Sequence, residues 1–293
     1  MIIVKLTGGM GNQLFEYALG KTLSVKNNTE LMFDISELNK KTSLIPTLRY
    51  FMLGVFNINA SLVEPKTAKS FKKYRVRKGK LWAIYNLLIA DSRKYVSEKS
   101  FGFDRSVLNS GNNVYLDGLW QSPKYFKDTE KILREEITPK EALSERSTHF
   151  LNLIKNEENP VSVHIRRADY VTNKATSNYI GALPFDYYER AFAFFSANNP
   201  KYFVFSDDMD WSKNKLNFLG EKAVFVETPE NKDHEALFLM AECKGHIIAN
   251  SSFSWWGAWL DPKADKKVVA PKEWFRAKKF DTSDLTPEGW MKI

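Results

Sequence analysis

Between Val161 and Ala270 the chain alternates short β-branched or aromatic runs with longer amphipathic stretches, and this alternation limits the available folds more than any other feature. Val161–Ile165, Tyr202–Phe205, Ala223–Val226, His246–Ala249 and Lys267–Ala270 read as strands. Pro184 starts a predicted helix over Phe185–Ala197. Asp233–Lys244 reads as a second helix, with Asp233 as N-cap and Gly245 just past its end, and Ser252–Leu260 as a short third one. The segment around Trp211 is helix or loop. Five strands separated in this way predict a parallel sheet covered on both faces.

The beginning of the chain repeats the pattern. Ile2–Leu6 is a predicted strand, Thr7–Gly11 a glycine-rich turn, Asn12–Val25 a helix, and Glu30–Phe33 a strand ending at Asp34. Asn113–Leu116 looks like another strand, with helix from Pro123 onward. Two α/β halves follow, 1–158 and 159–293, and ligands of such sheets lie beyond the C-terminal ends of the strands. A single cysteine excludes a disulfide framework, and with four scattered histidines leaves no zinc-cluster spacing. No secretory signal is visible, and the longest uncharged run, Gly245–Leu260, is too short and polar to cross a bilayer. A soluble, cytoplasmic protein is expected, with peripheral contact at the inner membrane left open.

Forty-three Lys and Arg against 35 Asp and Glu give a net charge of +8, mild for this length. It suits a phosphate-bearing small molecule as well as an acidic membrane or nucleic acid. Lys66–Lys80 carries eight basic residues in fifteen and precedes Leu81-Trp82, so it is either a solvated basic face or a contact for anionic lipid or nucleic acid.

Four segments at strand ends carry candidate chemistry. Gly8-Gly9-Met10-Gly11-Asn12-Gln13-Leu14 approaches a dinucleotide fingerprint, with Asp34 near the place of a ribose-binding acid, but Leu14 stands where a third glycine belongs. The alternatives are a tight turn with positive φ, or amides of Asn12 and Gln13 aimed at a polar ligand. In Val161–Tyr170, Arg166 and Arg167 suit a diphosphate; otherwise an arginine pairs with Asp169 and His164 is a core histidine. Asp207-Asp208-Met209-Asp210 contains an Asp-x-Asp, readable as a metal site, a base-edge acceptor or a helix N-cap. Asn250–Trp259 places Ser251, Ser252, Phe253 and Ser254 at a helix start, where N–H groups and the helix dipole favour an anion, while its tryptophans read as buried packing.

Taken together, Gly8–Phe15, Leu116–Ser122, His164–Asp169, Phe205–Asp208 and Ala249–Trp259 resemble the α-1,2-fucosyltransferases of glycosyltransferase family 11, particularly the bacterial ones, over nearly the whole length. Ala168 and Leu119 depart from the family's usual glycine and aromatic. The resemblance implies a GT-B fold, two Rossmann-like domains facing a cleft, with an acceptor-side domain over 1–158 and a donor-binding domain over 159–293. It implies inverting transfer of L-fucose from GDP-β-L-fucose to a terminal β-galactoside, without a metal or other cofactor and without nucleic acid. Carried onto this chain, Arg166 and the hydroxyls near Ser251, Ser252 and Ser254 would hold the diphosphate, Arg167 and Phe253 would also belong to the donor site, and His164, Asp208 and Asp207 would address the guanine. Gly9 and Gly11 would also contact the donor and Asn12 would lie near the reacting centre, with Arg166, Asn12 and Asp169 as the catalytic set. Two other classes compete. A nicotinamide-dependent oxidoreductase would use the Gly8–Gly11 loop and Asp34 but no arginine pair, and a non-catalytic glycan or nucleic-acid binder needs no diphosphate site.

Overall fold

The computed structural model describes residues 1–40, 48–79, 82–277 and 280–293. Lys80 and Leu81, at the end of the basic stretch, lie outside the described residues. The chain divides into two compact units, Met1–Thr138 with Asp281–Leu285, and Pro139–Phe280 with Thr286–Ile293.

In the first unit the strands are β1 (Ile2–Lys5), β2 (Leu31–Asp34), β3 (Ser61–Leu62), β4 (Tyr95–Ser97) and β5 (Val114–Asp117), all parallel in the order β3-β2-β1-β5-β4. Its helices are α1 (Met10–Lys26), α2 (Pro65–Lys72), α3 (Ala83–Leu88) and α4 (Glu130–Glu136). Strand β1 is apolar on successive residues because parallel strands are covered on both faces. Helix α1 buries Leu14, Phe15, Ala18 and Leu19. It also lies close to the sheet at Gly20, where a Cβ would come within 2.4 Å of Val4 and 2.8 Å of Leu31. That approach is the task the dinucleotide pattern assigns to a glycine at position 14, which here is the buried Leu14. The returning segment is sewn in by Ser122 Oγ donating to the Asp284 carbonyl at 2.8 Å and the Phe103 N–H donating to Asp284 Oδ2 at 2.9 Å, with Leu285 buried.

The second unit contains α5 (Glu145–Asn156), β6 (Pro160–Ile165), α6 (Ala168–Thr172), α7 (Lys174–Tyr179), α8 (Phe185–Phe195), β7 (Lys201–Ser206), α9 (Met209–Lys215), β8 (Ala223–Phe225), α10 (Asp233–Glu242), β9 (Gly245–Ile247), α11 (Ser252–Leu260), β10 (Lys267–Ala270) and β11 (Met291–Lys292). The sheet is parallel, ordered β11-β10-β9-β6-β7-β8. In chain order this is the doubly wound arrangement, whose direction of winding reverses between β6 and β9. One face of β6, with Val161, Val163 and Ile165, packs on Tyr187, Tyr188, Ala191 and Phe195. On the opposite side of the sheet Phe203 and Phe205 pack on Ile154, Leu239 and Cys243.

Those contacts explain where the chain divides. Helix α5 falls before the expected break after residue 158, but its buried Ile154 packs in the second unit's core. Ser144, which caps α5 at Ser147, donates its hydroxyl to Glu235 of α10 at 2.6 Å. The division therefore comes after Thr138. Other differences are local: Asp233 is the first residue of α10 with Lys232 in the N-cap position, and Gly245 opens β9.

Candidate active site

A reversal of winding leaves a crevice outside the carboxyl ends of the two strands that flank it, because their connections depart toward opposite faces. In the second unit these strands are β6 and β9, paired through Val161 with Gly245 and Val163 with Ile247. Strand β6 delivers His164, Arg166 and Arg167; β9 leads to Asn250, Ser251 and the start of α11; β7, on the other side of β6, ends at Asp207 and Asp208.

Arg166 is held between two carboxylates. Its Nη2 donates to Asp169 Oδ1 at 2.5 Å, its Nη1 lies 3.0 Å from Asp207 Oδ2, and its guanidinium stands 5.3 Å from the centre of the Tyr170 ring. Burial pulls its pKa down, but Asp207 and Asp169 outweigh that and raise it, so the cation is permanent. The expected Arg166–Asp169 pair is thus present, with Asp207 as a second partner. These contacts engage two of the five N–H groups that a guanidinium carries. Arg167 donates Nε to Asp208 Oδ2 at 2.9 Å and its backbone N–H to Asp207 Oδ1 at 2.7 Å, and it lies 3.9 Å from the Trp211 ring centre. Asp208 also caps α9 by accepting from the Trp211 N–H at 3.3 Å. The N-cap role considered for the Asp-x-Asp therefore exists. Among the described residues no group of three or more His, Cys, Asp or Glu is arranged to hold a metal ion.

His164 faces α11, its ring 5.7 Å from Phe253. Burial first, and the neighbouring Arg166 charge second, push its pKa down to about 3, so the ring is neutral. Its Nδ1 is buried without a hydrogen-bond partner, and so is Oδ1 of Asn250. Asn250 Nδ2 donates to the carbonyls of Gly181 and Trp274, and the Asn250 carbonyl accepts from Tyr170 Oη at 3.2 Å. A buried polar atom without a partner costs roughly 1–3 kcal/mol and asks for an explanation. Ser251 caps α11 by accepting from the Phe253 N–H at 3.3 Å, and Ser254 Oγ donates back to the Ser251 carbonyl. Trp255, Trp256 and Trp259 are buried, as packing rather than as sugar platforms.

In the first unit β1 lies between β2 and β5, so the turn after β1 neighbours the turn after β5. Gly8 takes φ +69, so the positive-φ turn is real. Gly9 is extended in the N-cap position of α1 and Gly11 lies within that helix. Asn12 Oδ1 accepts from Gln121 Nε2 at 2.9 Å, tying the turn after β1 to the turn after β5. Gln13, by contrast, is consumed by the fold: it donates to the carbonyls of Gly8 and Tyr50 and accepts from the Met52 N–H. Asp34 is buried and accepts from Tyr115 Oη at 2.5 Å, with Lys72 Nζ 2.8 Å away. Burial alone would raise its pKa, but bonds from Lys72, Tyr115 and Ser36 pull it down to about 2. That carboxylate is committed, which leaves the oxidoreductase alternative without its ribose acid.

Sequence reasoning missed Gln121, Tyr170 and the orphaned Asn250 oxygen as parts of these clusters. Tyr170 was findable, since the turn after Arg166 returns it beneath the guanidinium. Gln121 was not, because its partner is 109 residues away.

The chain is similar over its full length to known proteins. It is 33% identical to an Escherichia coli alpha-1,2-colitosyltransferase, covering 100% of this chain and 99% of that one. It is 32% identical to the Escherichia coli O-antigen biosynthesis glycosyltransferase WbnK, covering 98% and 99%, and 24% identical to a Bos taurus galactoside 2-alpha-L-fucosyltransferase, covering 88% and 63%. Among solved structures, a mutant of Arabidopsis thaliana FUT1 in complex with GDP superposes with a TM-score of 0.54 at 9% identity, over 92% of this chain and 69% of that one. POFUT1 in complex with GDP-fucose gives 0.51 at 14%, over 92% and 97%. The fold is accordingly of the GT-B type, with two α/β units. The sequence profile of Glycosyl transferase family 11 matches residues 1–293. The chain belongs to glycosyl transferase family 11.

Proposed function

We propose that this glycosyltransferase moves L-fucose from GDP-β-L-fucose to the 2-hydroxyl of a terminal β-galactoside, inverting the anomeric centre to an α-1,2 linkage. The setting is cytoplasmic synthesis of lipopolysaccharide or another surface glycan. The observation that carries the donor half is Arg166, a permanent cation at the winding reversal of the second unit. As the sugar–phosphate bond breaks, GDP gains negative charge, and preorganised donors aimed at it lower the barrier. Arg166 and Arg167 supply guanidinium donors, and Ser252, Phe253 and Ser254 the positive end of α11. Ser251 holds that helix start in shape. The orphaned His164 Nδ1, with Asp207 and Asp208 beside it, suits the edge of a guanine. No step needs a metal.

Asn12, steadied by Gln121, is the proposed polar contact at the reacting centre, with Gly9 and Gly11 keeping the backbone bare there. For the proton of the attacking hydroxyl, a histidine held near pKa 3 is a poor base at neutral pH. Asp169, whose carboxylate is engaged by Arg166 at 2.5 Å, is the other candidate in the proposed catalytic set. The linkage and acceptor are supported by the galactoside 2-alpha-L-fucosyltransferase and O-antigen relatives. One observation favours a second donor: the relative at 33% identity is a colitosyltransferase. Colitose is L-fucose without its 3-hydroxyl, so the two donors differ at one polar contact.

Thermal-shift titration followed by a transfer assay tests the whole proposal. Stabilisation by GDP and GDP-fucose, with none by NAD, and α-1,2-fucosyl transfer to a β-galactoside are expected. Transfer from GDP-colitose alone would move the donor assignment, and stabilisation by NAD alone would remove it.

A further inference from the structure

The charge of this protein is concentrated in one place. Residues 65–94 hold ten Lys or Arg and a single acid, Asp91, a net of +9, so the remainder of a chain whose total is +8 is nearly neutral. In the first unit this segment forms α2, α3 and the approach to the edge strand β4. Among the described residues, Lys66, Lys69, Lys73, Arg77, Lys78 and Lys94 have no carboxylate within ion-pair distance. Of the segment's two helices, α2 buries only Ala68 and α3 has no buried residue. On and beside α3, Ile84 is 74% exposed, Leu87 83%, Leu88 74% and Ile89 43%. Arg77 lies over both Trp82 and Tyr85, at 4.2 and 4.5 Å from the ring centres. An open concavity of about 1600 Å³ runs beside it, lined by Lys72, Arg75, Arg77, Trp82 and Lys94 among others.

We propose that this face docks on the surface of an anionic phospholipid bilayer, with Ile84, Leu87 and Leu88 entering the headgroup boundary and the surrounding lysines and arginines meeting lipid phosphates. Exposed aliphatic side chains within unpaired basic charge are the chemistry of an interfacial helix. No described helix is long and apolar enough to cross a membrane, so the contact is a surface one. A second copy of the chain is a poor occupant, because two faces of this charge repel. Nucleic acid would use the cations and stack bases on rings, and leaves the bare leucines and isoleucine without a purpose. The proposal does not depend on which sugar is transferred.

Co-sedimentation of the full chain with phosphatidylglycerol–phosphatidylcholine vesicles, and with pure phosphatidylcholine vesicles, tests it. Binding to the mixed vesicles alone is expected, falling as salt rises. The double variant Leu87→Ser/Leu88→Ser should bind roughly tenfold or more weakly. Lys66→Glu/Lys69→Glu/Lys73→Glu should lose on the order of a hundredfold. Both should keep full transfer to a soluble acceptor, which shows that they are folded. Absence of binding at low salt overturns the proposal, as does binding that neither variant weakens. A dimer abolished by the leucine changes would assign the face to self-association, and RNA homopolymer binding without vesicle binding would assign it to nucleic acid; either overturns the lipid assignment.

Discussion

Both units have parallel sheets, yet they treat their strand ends differently. In the first, Asp34 is met by Lys72, Tyr115 and Ser36, Asp117 by Lys5 at 2.9 Å and Tyr95 at 2.7 Å, and Gln13 spends its amide on three backbone groups. Glu98 accepts from the N–H groups of Leu119 and Trp120, fixing the turn that presents Gln121. The exception is Trp120, left-handed at φ +54 with a buried, unpartnered indole N–H. In the second unit, His164 Nδ1 and Asn250 Oδ1 are left without partners beside a cluster of two arginines and three aspartates. Satisfied strand ends make a rigid wall; unsatisfied ones beside charge make a place for a polar ligand. Under the proposed function, the donor would lie on the second unit and the first would have a positioning role.

The largest test of that contrast is Arg166. Arg166→Ala should lower turnover by on the order of 10²–10³, and also lower Tm, because Asp169 and Asp207 lose their common cation. Arg166→Lys should recover little turnover, since a point charge cannot match the planar fork. A folded Arg166→Ala with wild-type turnover would sink the donor assignment. Gln121→Leu sharpens the other half of the comparison. It should lower kcat about tenfold while GDP affinity stays at the wild-type value, because Asn12 loses its orienting donor while the second unit is untouched. Weaker GDP binding in that variant would break the division of labour.

Acid should find the second unit's histidine. The unfolded chain binds a proton at His164 near pH 6.5, whereas the folded ring refuses it until about pH 3. Stability contributed by its neutrality is therefore complete above pH 6.5 and is lost as pH falls toward 3, by up to about 1.4 kcal/mol per pH unit. Urea midpoints for wild type and His164→Gln between pH 7 and 4 should converge; parallel curves would contradict the buried neutral ring. The smallest effect expected is none: EDTA should leave transfer unchanged, and loss restored by manganese would revive the Asp-x-Asp as a metal site.

Much of this was legible in residue order. The runs Val161–Ile165, Tyr202–Phe205 and Lys267–Ala270 became β6, β7 and β10 because strands buried on both faces have little freedom of composition. Arg166 and Ser251 could be placed at strand ends for the same reason. Strands β3 and β4, two and three residues long, carry too little pattern to announce themselves and form because neighbours already present an edge. Helix α3 was invisible for the opposite reason: periodicity marks a helix that buries a face, and this one buries none. Nor can local sequence show that Gln121 reaches Asn12, or that α5 joins the later unit.

The short return of Asp281–Leu285 to the first unit has a consequence for biosynthesis. Ser122 and Phe103 wait for partners 162 and 181 residues further along the chain. The first unit therefore cannot finish folding as it leaves the ribosome. Its sheet can form early, but the bonds to Asp284 and the burial of Leu285 must wait while the second unit's main body is translated. An N-terminal fragment stopped at Thr138 should accordingly be loose, bind a dye for exposed apolar surface, and tighten when a peptide spanning 281–285 is added.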